Sequence, residues 1–581
     1  MPEFDEPIED YASFFKDEHA RNVTEYFEDL VRSSGVDEQL NIETMTELRS
    51  LQQNVSASSK SRGWWKAGRI TAIIAAVGLV ALAITMQSFY YLAIIPAIAF
   101  IVLVFIKINP EISSLNEKVA ELEKFRDAKS NEAWVQMEPL NDLYRWDTAA
   151  KLFMKTFPLM TLDGFFSSDR LIDLTNNYDL SPSFNDGRSV FVTQSGAFKD
   201  NPFVIARYKE HWMGSKTYVG SIVIQWVESV RDANGNWVNI TKTQTLTASV
   251  VKPFPEYNVR STIIYGHEIA PNLSFSRNPS NLSGLEDGFF NNRRKESAIK
   301  KVEKKARKDI KTGSGELTVM SNKEFEALFN ATDRDHEVEF RLLFTPLAQQ
   351  EMVKLLNDKS VGFGDNFSFD KQGMVNFVEP GHLANIEFDG NPHRFKSQEL
   401  AAARAFFNDF HNQYFKALYF GFAPLWTIPM YREKRTMSLR SEKSHDSSFW
   451  EHEAMANAIG QDNFRHPESV TENILKTRAS GNGTTKNVTV TAHGYEGIPR
   501  TDIIPMLGGD GNMHPVPVHW VQYISVSQDT TMVVGAVTNN VHGDDSDDEG
   551  LDKGWKGAMN QYGISPENVV VNGALAAALL R

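Results

Sequence analysis

The chain is 581 residues long, which predicts about three or four structural units rather than one compact domain. Its 41% hydrophobic and 23% charged residues, with 36 Gly and 23 Pro, exclude a collagen-like, low-complexity or wholly disordered chain. Cysteine is absent, which excludes disulfides, thiolate metal sites and cysteine nucleophiles. The formal net charge of -14 argues against general attraction of nucleic acid, so we do not expect nucleic acid as a partner.

Residues 1–60 form the first predicted region. Carboxylates outnumber bases in residues 1–50, and apolar side chains recur there at helical spacing, which predicts acidic amphipathic helices. Residues 51–62 are rich in Ser, Asn and Gln, a composition typical of a linker. We therefore expect a helical N-terminal region that ends in a linker.

An uncharged run of 37 residues, from Ile70 to Ile106, dominates the second region, residues 61–109. A helix that spans a bilayer needs about 20 apolar residues, with a lower limit near 17. The alternative is a pair of core helices in a soluble protein, but uncharged runs of this length are rare there. We therefore predict a transmembrane helical hairpin with two spans, Ile70 to Met86 and Phe89 to Ile106.

Positive charge flanks this run and is absent from its centre. Four bases precede it and one follows it: Lys60, Arg62, Lys66, Arg69 and Lys107. The positive-inside rule then predicts a two-pass protein of the cell membrane with both termini in the cytoplasm. The aromatic residues suited to the two membrane interfaces are Trp64 and Trp65 on the inner side, and Tyr90 and Tyr91 on the outer side.

The remaining regions are 110–135, 136–440 and 441–581. The first continues as a juxtamembrane helix, because apolar residues repeat at spacings of three and four. The second has strand-like segments rich in Val, Ile, Thr and aromatics, and Asn234-Gly235 predicts a β-hairpin. The third mixes loops and strands. We expect the fold class α+β: a membrane hairpin with a large cytoplasmic mixed α/β region that contains antiparallel sheets.

Within residues 136–440, the apolar spacing also predicts individual elements after the sheet. Helices are expected near Lys323 to Phe329, from Pro346 to Asn357 and at 399–419. A strand is expected near Glu337 to Phe344.

One stretch of this region reads KEFEALFNATDRDHEVEFRLLFTPLAQQEMVKLLND. It resembles a family of uncharacterised bacterial membrane proteins in which a two-helix membrane hairpin precedes a cytoplasmic α+β domain of unknown function. The resemblance covers residues 60–400 by the order of elements. It implies a topology and no catalytic chemistry. The residues that carry it are Phe325 and Phe329 on a helix, an acidic turn, and Leu343, Phe344, Thr345 and Pro346 at the end of a strand.

Candidate catalytic and metal-binding residues are few. Neither G-x-x-x-x-G-K-[ST] nor G-x-S-x-G occurs in the chain. A zinc site without cysteine would need His and carboxylates. The helical zinc motif needs a second histidine one turn after the first, which His452 lacks. We therefore expect a polar, solvent-exposed helix and loop, with no metal and no cofactor. The densest such group is His445, Glu451, His452, Glu453 and His466.

A basic segment runs from Arg293 to Lys311 and predicts a helix with ten Lys and Arg residues. Beside an anionic leaflet each such base contributes up to about 1 kcal/mol. The alternatives are a solvated helical face, pairing with the acidic N-terminal region, and nucleic-acid binding. The candidate residues for contact with anionic lipid are Arg293, Arg294, Lys300, Lys301, Lys304, Lys305 and Lys308.

The leading functional hypothesis is a non-enzymatic scaffold or interaction protein anchored in the membrane. A small anchor, a large cytoplasmic region and the lack of a recognisable catalytic motif favour it. Its expected partners are the lipid bilayer and a protein at the inner membrane face, and a homo-oligomer stays open. One alternative is a membrane-associated, hydrolase-like enzyme with a site in the C-terminal histidine-containing region. Another is an oligomeric channel component lined by Thr71, Thr85 or Gln87.

Overall fold

A computed structural model gives the structure of the protein. The α-helices in the described residues are α1 (Pro7–Asp10), α2 (Lys16–Ser34), α3 (Glu38–Thr85), α4 (Tyr91–Leu103), α5 (Asn109–Asn141), α6 (Thr148–Thr156), α7 (Ser168–Asn177), α8 (Phe289–Thr312), α9 (Lys323–Phe329), α10 (Glu337–Leu343), α11 (Pro346–Asn357), α12 (Leu400–Trp426) and α13 (Phe449–Ile459). The structure describes residues 4, 6–85, 91–231, 233–284, 289–312, 319–386, 388, 390–436, 446–480, 485–536, 559–565 and 568–580.

The β-strands form two sheets in which every neighbouring pair is antiparallel. The seven-stranded sheet has the order β1-β2-β3-β4-β7-β6-β5, and the five-stranded sheet has the order β11-β12-β10-β9-β8. The fold is therefore α+β. The strands are β1 (Met160–Leu162), β2 (Arg188–Phe198), β3 (Asn201–Arg231), β4 (Trp237–Gly266), β5 (Ser274–Arg277), β6 (Phe367–Gln372), β7 (Val375–Pro380), β8 (Ile474–Ser480), β9 (Thr485–Leu507), β10 (Met513–Ala536), β11 (Val569–Asn572) and β12 (Leu575–Leu579).

Contacts divide the chain into two compact units. The first unit comprises Met1–Asn22, Trp146–Gly390 and Asn412–Arg581, and it contains both sheets. The second unit comprises Val23–Arg145 and Asn391–His411 and is helical where described.

Helix α13 lies between the two sheets of the first unit. Trp450 and Ala454 belong to the apolar core on the side of the seven-stranded sheet. Met455 and Ala456 belong to the core on the side of the five-stranded sheet. Because α13 is buried on both sides, it shows no single apolar stripe, and its sequence lacks the helical periodicity of a surface helix.

The N-terminal residues of the first unit pack against the second half of α12. The Phe4 ring contacts Phe157 and Trp426 edge-on, with centroids 5.1 and 5.2 Å apart. The Tyr419 hydroxyl donates a hydrogen bond of 2.8 Å to the carbonyl oxygen of Pro7. Aromatic contacts of this kind are worth about 0.5–1.5 kcal/mol each beyond the apolar area that they bury.

Two long hairpins extend beyond the sheets. Strand β3 pairs with β2 as far as Glu210, and from there to Arg231 its described pairing is with β4 alone. This extension is about 70 Å long at the usual rise per residue. Hairpin β9–β10 likewise continues past His493, where the pairing of β9 with β8 ends. We call the extended parts, residues 211–231, 237–257, 494–507 and 513–526, the β-arm.

The two hairpins of the β-arm pack face to face through their even-numbered residues. Ile224, Leu246 and Val516 are buried between them. Gly220 allows the backbones to meet, because a Cβ there would lie 2.0 Å from the carbonyl oxygen of Pro517. An ion pair of 2.7 Å between Lys252 and Asp502 closes one side of this layer. The β-arm is thus a two-layer structure with its own apolar core.

The second unit is built on two long antiparallel helical segments, α3 and α4–α5. Met45, Leu48 and Ala133 form an apolar cluster between them. Asn41 fixes the start of α12 by donating a 3.0 Å hydrogen bond to the Gln398 carbonyl oxygen and accepting one of 3.0 Å from Leu400 N.

Several sequence predictions are confirmed by these elements. The Asn234-Gly235 turn lies between β3 and β4, and the helices near 323–329, 346–357 and 399–419 are present as α9, α11 and α12. The basic segment is helical as α8.

Two of the predicted elements are wrong. Residues 337–344 are predicted as a strand, but Glu337–Leu343 form helix α10, which begins after His336, whose Nδ1 accepts a hydrogen bond from Glu339 N. Phe340 and Leu343 are buried at helical spacing, so tertiary burial decides the conformation of this short segment. Residues 51–62, predicted as a linker, are helical within α3, since they contain no Gly or Pro and bury Val55.

The close approach at Gly220 can be tested by Gly220→Val. Overpacking a closed layer costs about 1–3 kcal/mol, so amide exchange in residues 514–520 should rise about tenfold to a hundredfold. Hydrogen–deuterium exchange by mass spectrometry measures this rise. Ser221→Val, on the exposed opposite face of the same strand, is the matched control and should leave exchange unchanged. Equal exchange in both variants would contradict face-to-face packing of the hairpins.

Candidate functional site

The long helices of the second unit have an exposed apolar surface. Large aliphatic side chains point outward, such as Ile74 at 65% and Ile84 at 77% exposure. Between the helices lie smaller or enclosed side chains, among them Ala72, Val104 and Ile108. Only 11% of the most apolar stretch of 18 residues is buried in the helix Glu38–Leu82, and 17% in the helix Ile94–Asn141. By length and composition, both helices could cross a membrane.

The residues predicted for the membrane and its interfaces differ in exposure, and some of them lie outside the described residues. Ile70 and Ile106 are exposed, at 56% and 74%. Trp64 is exposed on α3, whereas Trp65 packs against the apolar cluster between the helices. Tyr91 is the first residue of α4. Met86, Phe89 and Tyr90 lie outside the described residues.

The predicted histidine and carboxylate group is not on a solvent-exposed helix, so that expectation is wrong. Glu451, His452 and Glu453 are buried on α13. Burial raises the pKa of the Glu451 carboxyl to about 7, although two hydrogen bonds oppose the rise. Its Oε1 accepts from Phe166 N at 2.6 Å and from the Thr193 hydroxyl at 2.5 Å.

Glu453 connects α13 to both sheets. Its carboxylate accepts hydrogen bonds of 3.1 Å from Val190 N in β2 and 2.9 Å from Asn185 Nδ2, and it pairs with Lys476 of β8 at 2.8 Å. The register between β2 and β3 shifts between Val190 and Val192. A bulge leaves backbone groups without a ladder partner, and here Glu453 takes up the Val190 N–H. Burial still raises the pKa of Glu453.

Ser447 and His452 form a contact that resembles a nucleophile and its base. The Ser447 hydroxyl lies 2.9 Å from His452 Nε2. Burial lowers the pKa of His452 to about 4, so the ring is neutral. A triad needs an acid at the other ring nitrogen, but Nδ1 of His452 is buried and has no hydrogen-bond partner in the described part of the chain. Within the described residues, the pair therefore lacks the group that orients a catalytic histidine.

Histidines outside α13 that have described positions contact other groups. His466 accepts a hydrogen bond of 3.2 Å from Glu468 N. His519 contacts the Thr501 hydroxyl at 2.8 Å on the β-arm, beside an open pocket of about 640 Å³. His445 lies outside the described residues. Among the residues with described positions, no group of three or more His, Asp or Glu is placed to hold a metal ion.

The outer face of hairpin β3–β4 in the β-arm is exposed and uncharged. Odd-numbered residues of both strands share this face, because side chains alternate along a strand. Val219, Val223 and Val227 are each more than 60% exposed in β3. Threonines lie on the partner strand, where Thr245 faces Val223 and Thr241 faces Val227. The face comprises Thr217, Val219, Ser221, Val223, Gln225, Val227 and Ser229, with Asn239, Thr241, Thr243, Thr245, Thr247, Ser249 and Val251.

Sequence reasoning identified the two strands but missed this face. The signal was present as strict alternation, since every second residue from Thr241 to Thr247 is Thr, and Leu246 between two of them is buried in the arm's core. It was missed because alternation predicts a half-buried sheet without saying which face stays uncovered.

Helix α8 packs on the first unit by one face and exposes bases on the other. Val302 is 6% exposed. Lys295 pairs with Glu324 at 3.3 Å, and Lys305 donates to the Thr332 carbonyl oxygen at 2.7 Å. The side chain of Lys308 lies outside the described residues. The other candidate lipid contacts are exposed: Arg293, Arg294, Lys300, Lys301, Lys304 and Lys305.

Comparison with known proteins gave no match. No family model, no curated protein and no solved structure matches the chain. The resemblance to the uncharacterised membrane-protein family therefore stays a prediction.

The buried Glu451 carboxyl predicts a pH dependence that Glu451→Gln should remove. Because its folded pKa is about 7, against 4.5 for the ordinary value, its contribution to stability is complete below pH 4.5 and is lost as pH rises through 7. The variant's free energy of unfolding minus that of the wild type should therefore be about 2–3 kcal/mol larger at pH 8 than at pH 5, because only the wild type loses this contribution. Urea unfolding of the full chain in detergent, followed by tryptophan fluorescence, measures this difference.

Two controls separate this effect from a general response. Exposed Glu468→Gln should shift stability equally at both pH values. Glu453→Gln should destabilise at both, since it removes the partner of Lys476. A Glu451→Gln effect that is the same at pH 5 and pH 8 would show that the Glu451 carboxyl is ionised normally.

Proposed function

We propose that the protein is a membrane-anchored interaction protein that holds a partner protein at the inner face of the membrane. The observation that carries this proposal is the exposed, uncharged face of the β-arm. The centres of protein interfaces are depleted of charged residues, and this face carries none. A hairpin with its own packed inner layer does not need its outer valines for folding.

The second unit supplies the anchor. A helix in the core of a soluble protein would bury its apolar surface, whereas the large side chains of α3 and α4 point outward. Lipid covers such a surface at no cost in polar contacts, because each helix satisfies its own backbone. The bases before Ile70 and after Ile106 support an orientation with both termini in the cytoplasm.

Membrane topology can be tested by labelling introduced cysteines, since the chain has none. A membrane-impermeant maleimide added to intact cells should label Ser88→Cys between the two apolar runs. It should not label Ser50→Cys or Ser221→Cys until the cells are lysed. Labelling of Ser221→Cys in intact cells would place the β-arm outside. Equal labelling at all three positions before lysis would argue against a span.

The interaction face can be tested with a photo-crosslinking residue at Val223, activated in native membranes. We expect a discrete adduct with a second protein. Val219→Lys with Val227→Lys should lower its yield at least about tenfold, because charge in a dry interface is costly. Adduct mass and peptide sequencing identify the partner, and a doubled mass would identify a second copy of the chain.

The matched control for position is Val338, which is 75% exposed on α10. The control for charge is Val338→Lys with Val470→Lys, which adds the same charge at exposed valines outside the β-arm. An adduct of equal yield from Val338, or one that survives lysine at Val219 and Val227, would contradict the proposed face.

A further inference from the structure

We propose that the exposed face of α8 docks on the anionic cytoplasmic leaflet and holds the first unit against the lipid surface. The inference rests on the proposed membrane anchorage, and it assigns a second, electrostatic contact with the same membrane. It does not require a protein partner.

Six bases of α8 share one side of the helix. At about 100° per residue, Arg293, Lys300, Lys304 and Arg307 fall close to one line, and Arg294 and Lys301 lie to one side of it. All six of these side chains are exposed. A face that is about 140° wide and carries this much positive charge matches a surface of lipid phosphates and carboxylates.

The orientation of α8 is fixed by its contacts within the first unit. The opposite side of the helix carries Val302, which is buried, and Lys295, which pairs with Glu324. Glu303, at the border between the two sides, pairs with Lys323 at 3.0 Å. Because the apolar side is already used for packing, α8 can meet a membrane only through its bases. It would therefore bind as a charged surface rather than insert its apolar side into the lipid.

Charge complementarity favours a leaflet over nucleic acid as the occupant. The chain carries a net charge of -14, which repels a free polyanion at long range. A membrane anchor in the same chain overcomes that repulsion, because it makes the encounter with the leaflet intramolecular and raises its effective concentration.

The test uses the full chain reconstituted into vesicles of phosphatidylcholine alone or with 30% phosphatidylglycerol. A fluorophore on Ser297→Cys, an exposed position on the basic face, reports contact through quenching by lipids with spin-labelled headgroups. We expect quenching in the anionic vesicles, little in the neutral ones, and loss of quenching in 1 M salt, where the screening length is about 3 Å. The fluorophore on Ser221→Cys in the β-arm is the control position.

Two sets of substitutions distinguish the α8 face from general charge. Neutralising Lys300, Lys301, Lys304 and Arg307 to Gln should weaken docking at least about tenfold. Neutralising four scattered exposed bases, Lys16, Lys124, Lys359 and Arg478, should not. Equal quenching in neutral and anionic vesicles, or docking that survives the α8 substitutions, would overturn the inference.

Failure of the anchor can be told apart from failure of docking. Flotation of the chain with neutral vesicles reports the helical hairpin alone, so a chain that floats but shows no anionic quenching overturns the docking and leaves the anchor intact. A chain that floats with neither vesicle overturns both. If duplex DNA displaces the quenching at stoichiometric amounts and its binding needs the same four bases, the face is a nucleic-acid site and the lipid assignment is wrong.

Discussion

The first unit depends on burying two carboxylates between two sheets without leaving either unsatisfied. An unpaired buried charge costs several kcal/mol, so the positions of Glu451 and Glu453 require specific partners on both sides of α13. The partners are backbone N–H groups and a hydroxyl from the seven-stranded sheet and from the segment that follows β1, and Lys476 from the five-stranded sheet. This requirement fixes where α13 lies relative to each sheet.

That position in turn sets the geometry of the β-arm. Strand β3 leaves the seven-stranded sheet, and β10 leaves the five-stranded sheet. Where the two hairpins leave the sheets, the distance between them is therefore determined by α13. Farther out, the backbone contact at Gly220 and the ion pair of Lys252 with Asp502 keep the hairpins together. A change at α13 should consequently alter the packing of the two hairpins in the β-arm, although α13 and the β-arm lie in different parts of the sequence.

Features set by local pattern could be predicted from the sequence, and features set by burial from several sides could not. Asn234-Gly235 and the alternation around it specify a hairpin locally. The apolar run from Ile70 predicts two helices long and apolar enough to cross a membrane, and the structure has two helices that meet both criteria. Residues 337–344 depend on a cap at His336 and on enclosure of Phe340. Residues 51–62 are polar, yet they continue a helix whose buried Val55 contributes to packing.

The candidate sites divide in the same way. The bases of α8 were evident because a charged face needs only helical periodicity to be recognised. The environment of Glu451 was not, because a helix enclosed by two sheets has no polar side that would reveal its orientation. His452 and its neighbours therefore suggested exposed polar residues, although each is buried.

The two proposed contacts use different forces, and this matters for a chain with a net charge of -14. An uncharged face can approach an acidic protein without local repulsion, and its affinity changes little with ionic strength. A basic face responds to the leaflet within about one screening length, 8–10 Å at physiological salt. Salt or a change of lipid composition would therefore release the α8 contact and leave the β-arm contact in place. The membrane could then control how closely the first unit is held without controlling whether a partner is bound.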